Sequence, residues 1–108
     1  MALPARIDHS SNKKDVGKRS PAHRAWVRGF ACCACGSQVA IECAHVRNGT
    51  DGGTGIKPSD KWCISLCRDC HARQHQLGEP EFERRNKINM RALAEEFFRN
   101  SPHKGKLA

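Results

Sequence analysis

Cys67-Arg68-Asp69-Cys70-His71-Ala72-Arg73-Gln74-His75 places two cysteines and two histidines within nine residues. Cys67 and Cys70 have two residues between them, and Cys32 and Cys35 repeat that spacing across an insertion of 31 residues. Two such knuckles can bring four thiolates to tetrahedral zinc at about 2.3 Å. A redox Cys-x-x-Cys pair belongs in a βαβ context, which this chain lacks. The spacing therefore points to a structural zinc site made by Cys32, Cys35, Cys67 and Cys70. Cys33, Cys43 and Cys63 are left over, and the last two are expected to be small buried apolar side chains.

The composition asks for such a staple. A chain of 108 residues, 38% hydrophobic and 6% aromatic with no tyrosine, makes one small α+β domain with a thin core. Zinc in finger peptides supplies roughly 10–16 kcal/mol of apparent free energy, so the metal-free chain is expected to be unfolded or molten. Seven cysteines, an odd number, fit disulfide pairing poorly. No run approaches the roughly 18 apolar residues of a membrane span, and the first twenty residues are polar and basic. A reducing, cytoplasmic location is expected, with no membrane partner. Nineteen Lys and Arg against eleven Asp and Glu give a net charge of +8, which suits a polyanionic partner. Charge alone does not separate nucleic acid from an acidic protein.

Around the knuckles the chain divides readily. Residues 1–20 are rich in Ser, Asn, Lys and Arg and are expected to form a disordered basic arm. A domain over 21–100 follows, with a core at about 31–77, and 101–108 form a basic tail. Pro21 opens a short helix through Arg28 that Gly29 stops. Val39, Ile41 and Cys43 alternate along a half-covered strand over 39–46, which puts His45 on the same face. Asn48 to Gly55 is a loop holding four glycines, too irregular for a phosphate loop. Trp62, Ile64 and Leu66 mark a second strand that pairs with the first as a hairpin. A helix from about Asp69 carries His71 and His75 one turn apart and stops at Gly78. A C-terminal helix over about 80–99 has one apolar face, Met90, Leu93, Ala94, Phe97 and Phe98.

The order of these parts resembles the HNH nucleases. Their ββα-metal motif is carried here by Glu42-Cys43-Ala44-His45 and by Leu66-Cys67-Arg68-Asp69-Cys70-His71, and the resemblance covers about residues 31–77. Gly53-Thr54-Gly55-Ile56-Lys57-Pro58-Ser59-Asp60 and Cys70 to His75 look most like the branch containing the phage recombination-enhancement nuclease. The resemblance implies a zinc-stapled ββα-metal finger with flanking helices, and a metal-dependent endonuclease hydrolysing DNA, single- or double-stranded. It makes His45 the general base and places Mg²⁺ or Mn²⁺ at His71 and His75, with Asp60 the nearest carboxylate to join them as a ligand or to brace the loop. Products would carry 5′-phosphate and 3′-hydroxyl ends, and the branch adds a recombinase filament as a partner. Arg47 and Lys57 are the expected nucleic-acid contacts.

Two positions depart from the family pattern. Ala44 stands where many of these enzymes have an acid or a second histidine, and Trp62 stands near the usual Asn. These departures keep open a catalytically silent, zinc-stabilised nucleic-acid-binding module, or a zinc scaffold for an acidic protein. Glu42 points away from His45 along the strand and is expected to brace an arginine or the backbone.

Overall fold

Ser20 is extended, and its hydroxyl accepts the His23 amide at 3.2 Å, so helix α1, Pro21–Val27, begins on a capped end with proline in its first turn. The computed structural model describes residues 18–52 and 57–107. Most of the expected arm, residues 1–17, lies outside the described residues, as do residues 53–56 of the glycine loop and Ala108. Residues 18–20 depart from the expected arm, because Ser20 is buried and Lys18 O accepts the Asp60 amide at 2.8 Å.

Strands β1, Ile41–His45, and β2, Cys63–Cys67, pair antiparallel, with Ile41 opposite Cys67 and His45 opposite Cys63. Residues facing each other in such a pair share a side of the sheet. Ala44, Ile64 and Leu66 therefore lie on one side, where they join Val46, Phe82, Met90 and Ala94 in the core. His45 and Cys43 lie on the other side with Cys63 and Ser65. The expected strand from Val39 with its alternate residues covered is corrected. Val39 is 75% exposed, and the fully buried β1 residue is Ala44. Ala40 causes the difference, since its φ of 55° breaks the extended chain just before Ile41. Every residue of β2 is buried. The knuckle loop closes over this strand through the Cys33 amide on Ser65 O at 2.9 Å and Ser65 Oγ on Ala31 O at 2.8 Å.

Helix α2, Arg68–Leu77, leaves β2 without a linker and ends at Gly78, whose φ of 82° suits glycine and whose amide reaches Gln74 O. The single helix expected over 80–99 is two, α3, Glu79–Asn86, and α4, Met90–Asn100. Lys87 enters the left-handed region at φ 55°, and the Asn89 side chain caps α4 by accepting the Ala92 amide. Glu83 closes the corner, its carboxylate accepting the Met90 amide at 2.7 Å. The basic tail packs on the domain in its described part. Ser101 and Leu107 are buried, and Ser101 Oγ lies 2.8 Å from Nδ1 of the buried His23, tying the tail to α1. Among the described residues no helix is long and apolar enough to cross a membrane.

Phe82, on α3, is fully buried in the core shared by the sheet and the helices. Phe82→Ala is expected to cost about 3–5 kcal/mol in a denaturant titration of zinc-loaded protein. A loss below about 1 kcal/mol would show that the α3 side of this core can collapse around the missing ring.

Candidate functional site

The first knuckle is a tight turn in which Cys32 O accepts the Gly36 amide and Cys32 Sγ accepts the amides of Ala34 and Cys35 at 3.4 and 3.5 Å. The second sits where β2 becomes α2. All four sulfurs of Cys32, Cys35, Cys67 and Cys70 lie within 4.8 Å of one another, with Cys35 Sγ and Cys67 Sγ 3.7 Å apart. Sulfurs about 2.3 Å from one zinc at tetrahedral angles stand about 3.8 Å apart, so the cluster can hold such an ion. Burial pushes the Cys32 thiol up, but amide donors at Cys67, Cys35 and Ala34 outweigh it and bring the value down to about 6, as a metal thiolate needs. Cys33 stands outside the cluster, with its Sγ 3.4 Å from Ser65 Oγ and its thiol pushed up by burial. Cys63 is fully buried, and Cys43 is half-buried.

At the end of β1, His45 Nε2 lies 2.8 Å from Asp60 Oδ1, and Asp60 is completely buried. Its carboxylate is crowded with donors. The Ser20 amide reaches Oδ2 at 2.7 Å, Arg24 Nε ion-pairs with Oδ2 at 3.1 Å, and Arg19 approaches Oδ1 at 3.4 Å. Burial alone would raise the Asp60 carboxyl, yet the His45 hydrogen bond, the Ser20 amide and the charges of His45 and Arg24 hold it below the usual value. Such a group stabilises the fold fully above its unfolded value near pH 4, and the contribution is lost as pH falls through the lowered folded value. Thermal melts of wild type and Asp60→Asn from pH 7 to pH 3 should therefore converge at the acid end. Parallel curves would show that the carboxylate charge is not what Asp60 supplies.

On α2, His71 and His75 are one turn apart, and their Nε2 atoms lie 3.3 Å from each other. Glu42, expected to brace an arginine or the backbone, instead accepts from His71 Nδ1 at 2.7 Å. That bond fixes the tautomer and leaves the Nε2 lone pair turned toward His75, a common support for a metal-binding histidine. Two nitrogens about 2.1 Å from one ion at a tetrahedral angle stand about 3.4 Å apart, so the pair is spaced to chelate. The structure does not bring Asp60 to this pair. Its carboxylate is drawn to the start of α1, and the ligand group that it enters contains His45 and Cys63. Two arginines and a backbone amide approach its oxygens, and His45 shares them.

His45, His71, His75 and Glu42 line one groove of about 500 Å³ together with Arg47, Lys57, Arg24 and Arg28. Arg47 and Lys57 were expected from the sequence. Arg24 and Arg28 were not, although their spacing on a short helix is the signal that could have found them. A second groove of about 420 Å³ shares His45, Arg47 and His75 and continues past Asn48 and Gly78. Glu79 shapes the turn between the grooves, its two carboxylate oxygens accepting the amides of Arg47 and Asn48 at 2.7 and 2.8 Å. His45, Arg47 and His75 thus border both a strongly basic groove and a less charged one.

Compared with known proteins, residues 9–101 match a family described as "Protein of unknown function (DUF968)". No curated protein and no solved structure matches the chain.

Proposed function

The chain belongs to that DUF968 family, and we propose that it is a metal-dependent endonuclease of the HNH type, with a zinc-stapled ββα-metal core, that hydrolyses DNA. One observation carries the reading: an imidazole bonded to a buried carboxylate and a spaced pair of imidazoles face a single groove with four basic side chains. The sequence resemblance supports it, because β1 ends on His45 and the helix after β2 carries His71 and His75, the order that the HNH motif requires.

In this reading Asp60 accepts a proton bond from His45 Nε2, which leaves Nδ1 without a proton and free to act as base. Nδ1 takes a proton from water as the water oxygen attacks phosphorus. The bond between phosphorus and the 3′ oxygen breaks, and that oxygen takes a proton from solvent, giving 5′-phosphate and 3′-hydroxyl ends. Arg47, Lys57, Arg24 and Arg28 hold the phosphates on either side with charge-assisted hydrogen bonds. His71 and His75 would hold the divalent cation, which when bound supplies positive charge to the scissile phosphate and the leaving oxygen. Because Asp60 stays with His45, the protein ligands are imidazoles, which favour a transition ion such as Mn²⁺ over Mg²⁺.

The test is nicking of supercoiled plasmid and cleavage of a labelled single strand by zinc-loaded protein with Mn²⁺ or Mg²⁺. Cutting is expected with either ion and faster with Mn²⁺. A parallel reaction includes a recombinase filament on the DNA. If DNA is retarded on a gel yet stays intact with every ion and with the filament, the nuclease reading fails and the silent DNA-binding module replaces it.

A further inference from the structure

Between α1 and α4 lies a cavity of about 390 Å³, walled by Trp26, Phe30, Leu93 and Phe97 and rimmed by Glu96 and Asn100. The Trp26 and Phe30 rings are 4.9 Å apart, Phe30 and Phe97 5.2 Å, and Trp26 and Phe97 6.1 Å, all edge to face. Phe30 is 43% exposed. Phe30 is the exposed ring of the three, Trp26 and Phe97 being half-buried, and all three line the cavity.

Helix α1 connects this cavity to the basic groove. Arg24 and Arg28 are one turn apart and line the groove, while Trp26, two residues from each, falls on the opposite stripe and lines the cavity. Just past the helix end, Gly29 and Phe30 fold back with their amides on Trp26 O and Val27 O. A helix is only about 10 Å wide, so a strand whose phosphates lie on Arg28 needs only a few nucleotides to round this end. Cationic groove followed by aromatic cavity is the alternation that phosphate and base present, and single strands are bound by such pairings of charge with stacking. Glu96 at the rim offers a carboxylate acceptor, which matches a base bearing an exocyclic amino group, as cytosine does, better than thymine.

We propose that the cavity formed by Trp26, Phe30 and Phe97 holds one unstacked, amino-bearing nucleobase of a single DNA strand whose phosphates run along Arg24 and Arg28. The proposal rests on the groove's being a phosphate track, as in the reading above. It makes single-stranded DNA, or a strand displaced from a duplex, the preferred substrate, because a paired base cannot enter.

Fluorescence anisotropy with labelled oligo(dC), oligo(dT) and a hairpin duplex, at one fixed salt concentration, tests it without requiring cleavage. Phe30→Ala is expected to weaken oligo(dC) binding about tenfold and to leave the duplex unchanged. Arg28→Ala should weaken all three probes, and wild type should hold oligo(dC) more tightly than oligo(dT). In Trp62→Phe, where Trp26 is the remaining tryptophan, oligo(dC) should quench the fluorescence, a readout that leaves Phe30 in place. Unchanged oligo(dC) binding by Phe30→Ala, or an equal loss on the duplex, would overturn the base pocket while leaving the groove intact. So would capture of an apolar peptide by the cavity with no competition from oligo(dC). If wild type binds none of the three probes, the nucleic-acid reading of the groove falls as well.

Discussion

Serine in place of Cys67 is expected to abolish cooperative unfolding altogether. Cys67 is the last residue of β2 and the N-cap of α2, and its sulfur approaches that of Cys35 from the distant first knuckle. Removing it breaks a cluster that ties the knuckle loop, the end of the sheet and the helix together. A structural zinc contributes roughly 10–16 kcal/mol in small metal-folded domains, against a whole-domain stability of about 5–15 kcal/mol, so nothing else in this core can offset the loss. The thermal transition followed by circular dichroism should disappear in Cys67→Ser, and in wild type treated with a chelator, along with one equivalent of bound zinc. Cys33→Ser is the control, since Cys33 lies one residue along the same loop but outside the cluster, and it should keep both zinc and transition. A cooperative melt retained by Cys67→Ser would remove zinc from the account of this fold.

The knuckles were legible in the sequence because metal spacing is a local property. Cys-x-x-Cys constrains its ligands by covalent geometry, and Gly36 and Gly78 sit at positive φ where the turns need them. The hairpin and α2 were legible for the same reason. What the sequence hid depends on what covers each element. Val39 belongs to an apolar alternation, yet the left-handed turn at Ala40 throws it into solvent. β2 shows alternating large residues but is buried on both faces, because the knuckle loop covers Ser65 and Cys63 lies against His45 and Asp60. The break between α3 and α4 was visible in principle, as Asn89 is a good cap before Met90 and the apolar stripe begins only at Met90.

The candidate site divides along the same line. His45, His71 and His75 were found because their positions along the chain match a motif. Their supports were not, since Glu42 meets His71 across 29 residues and Ser20 meets Asp60 across 40. Asp60 could be a ligand or a brace on sequence alone. Its carboxylate meets Ser20, Arg19 and Arg24, and the first two of these belong to the segment that composition placed in a disordered arm.

His45→Ala is expected to lower cleavage by a factor on the order of 10² to 10⁴, the usual effect of removing a general base, while zinc content stays close to wild type and the melting temperature falls only by what the buried Asp60 loses with one donor. The side chain is 14% exposed and belongs to neither the sulfur cluster nor the apolar core, so its loss leaves both intact. Asp60→Asn separates orientation from proton transfer, because it keeps the shape of the brace but removes the charge that holds the Nε2–H of His45. It should reduce cleavage less than His45→Ala, and combining the two should cost no more than His45→Ala alone, since a brace has nothing to orient once the base is gone. Additive losses would mean that Asp60 acts on the phosphate or the cation by another route. Loss of zinc in His45→Ala would make His45 a structural residue, and unchanged cleavage would move the base elsewhere in the groove.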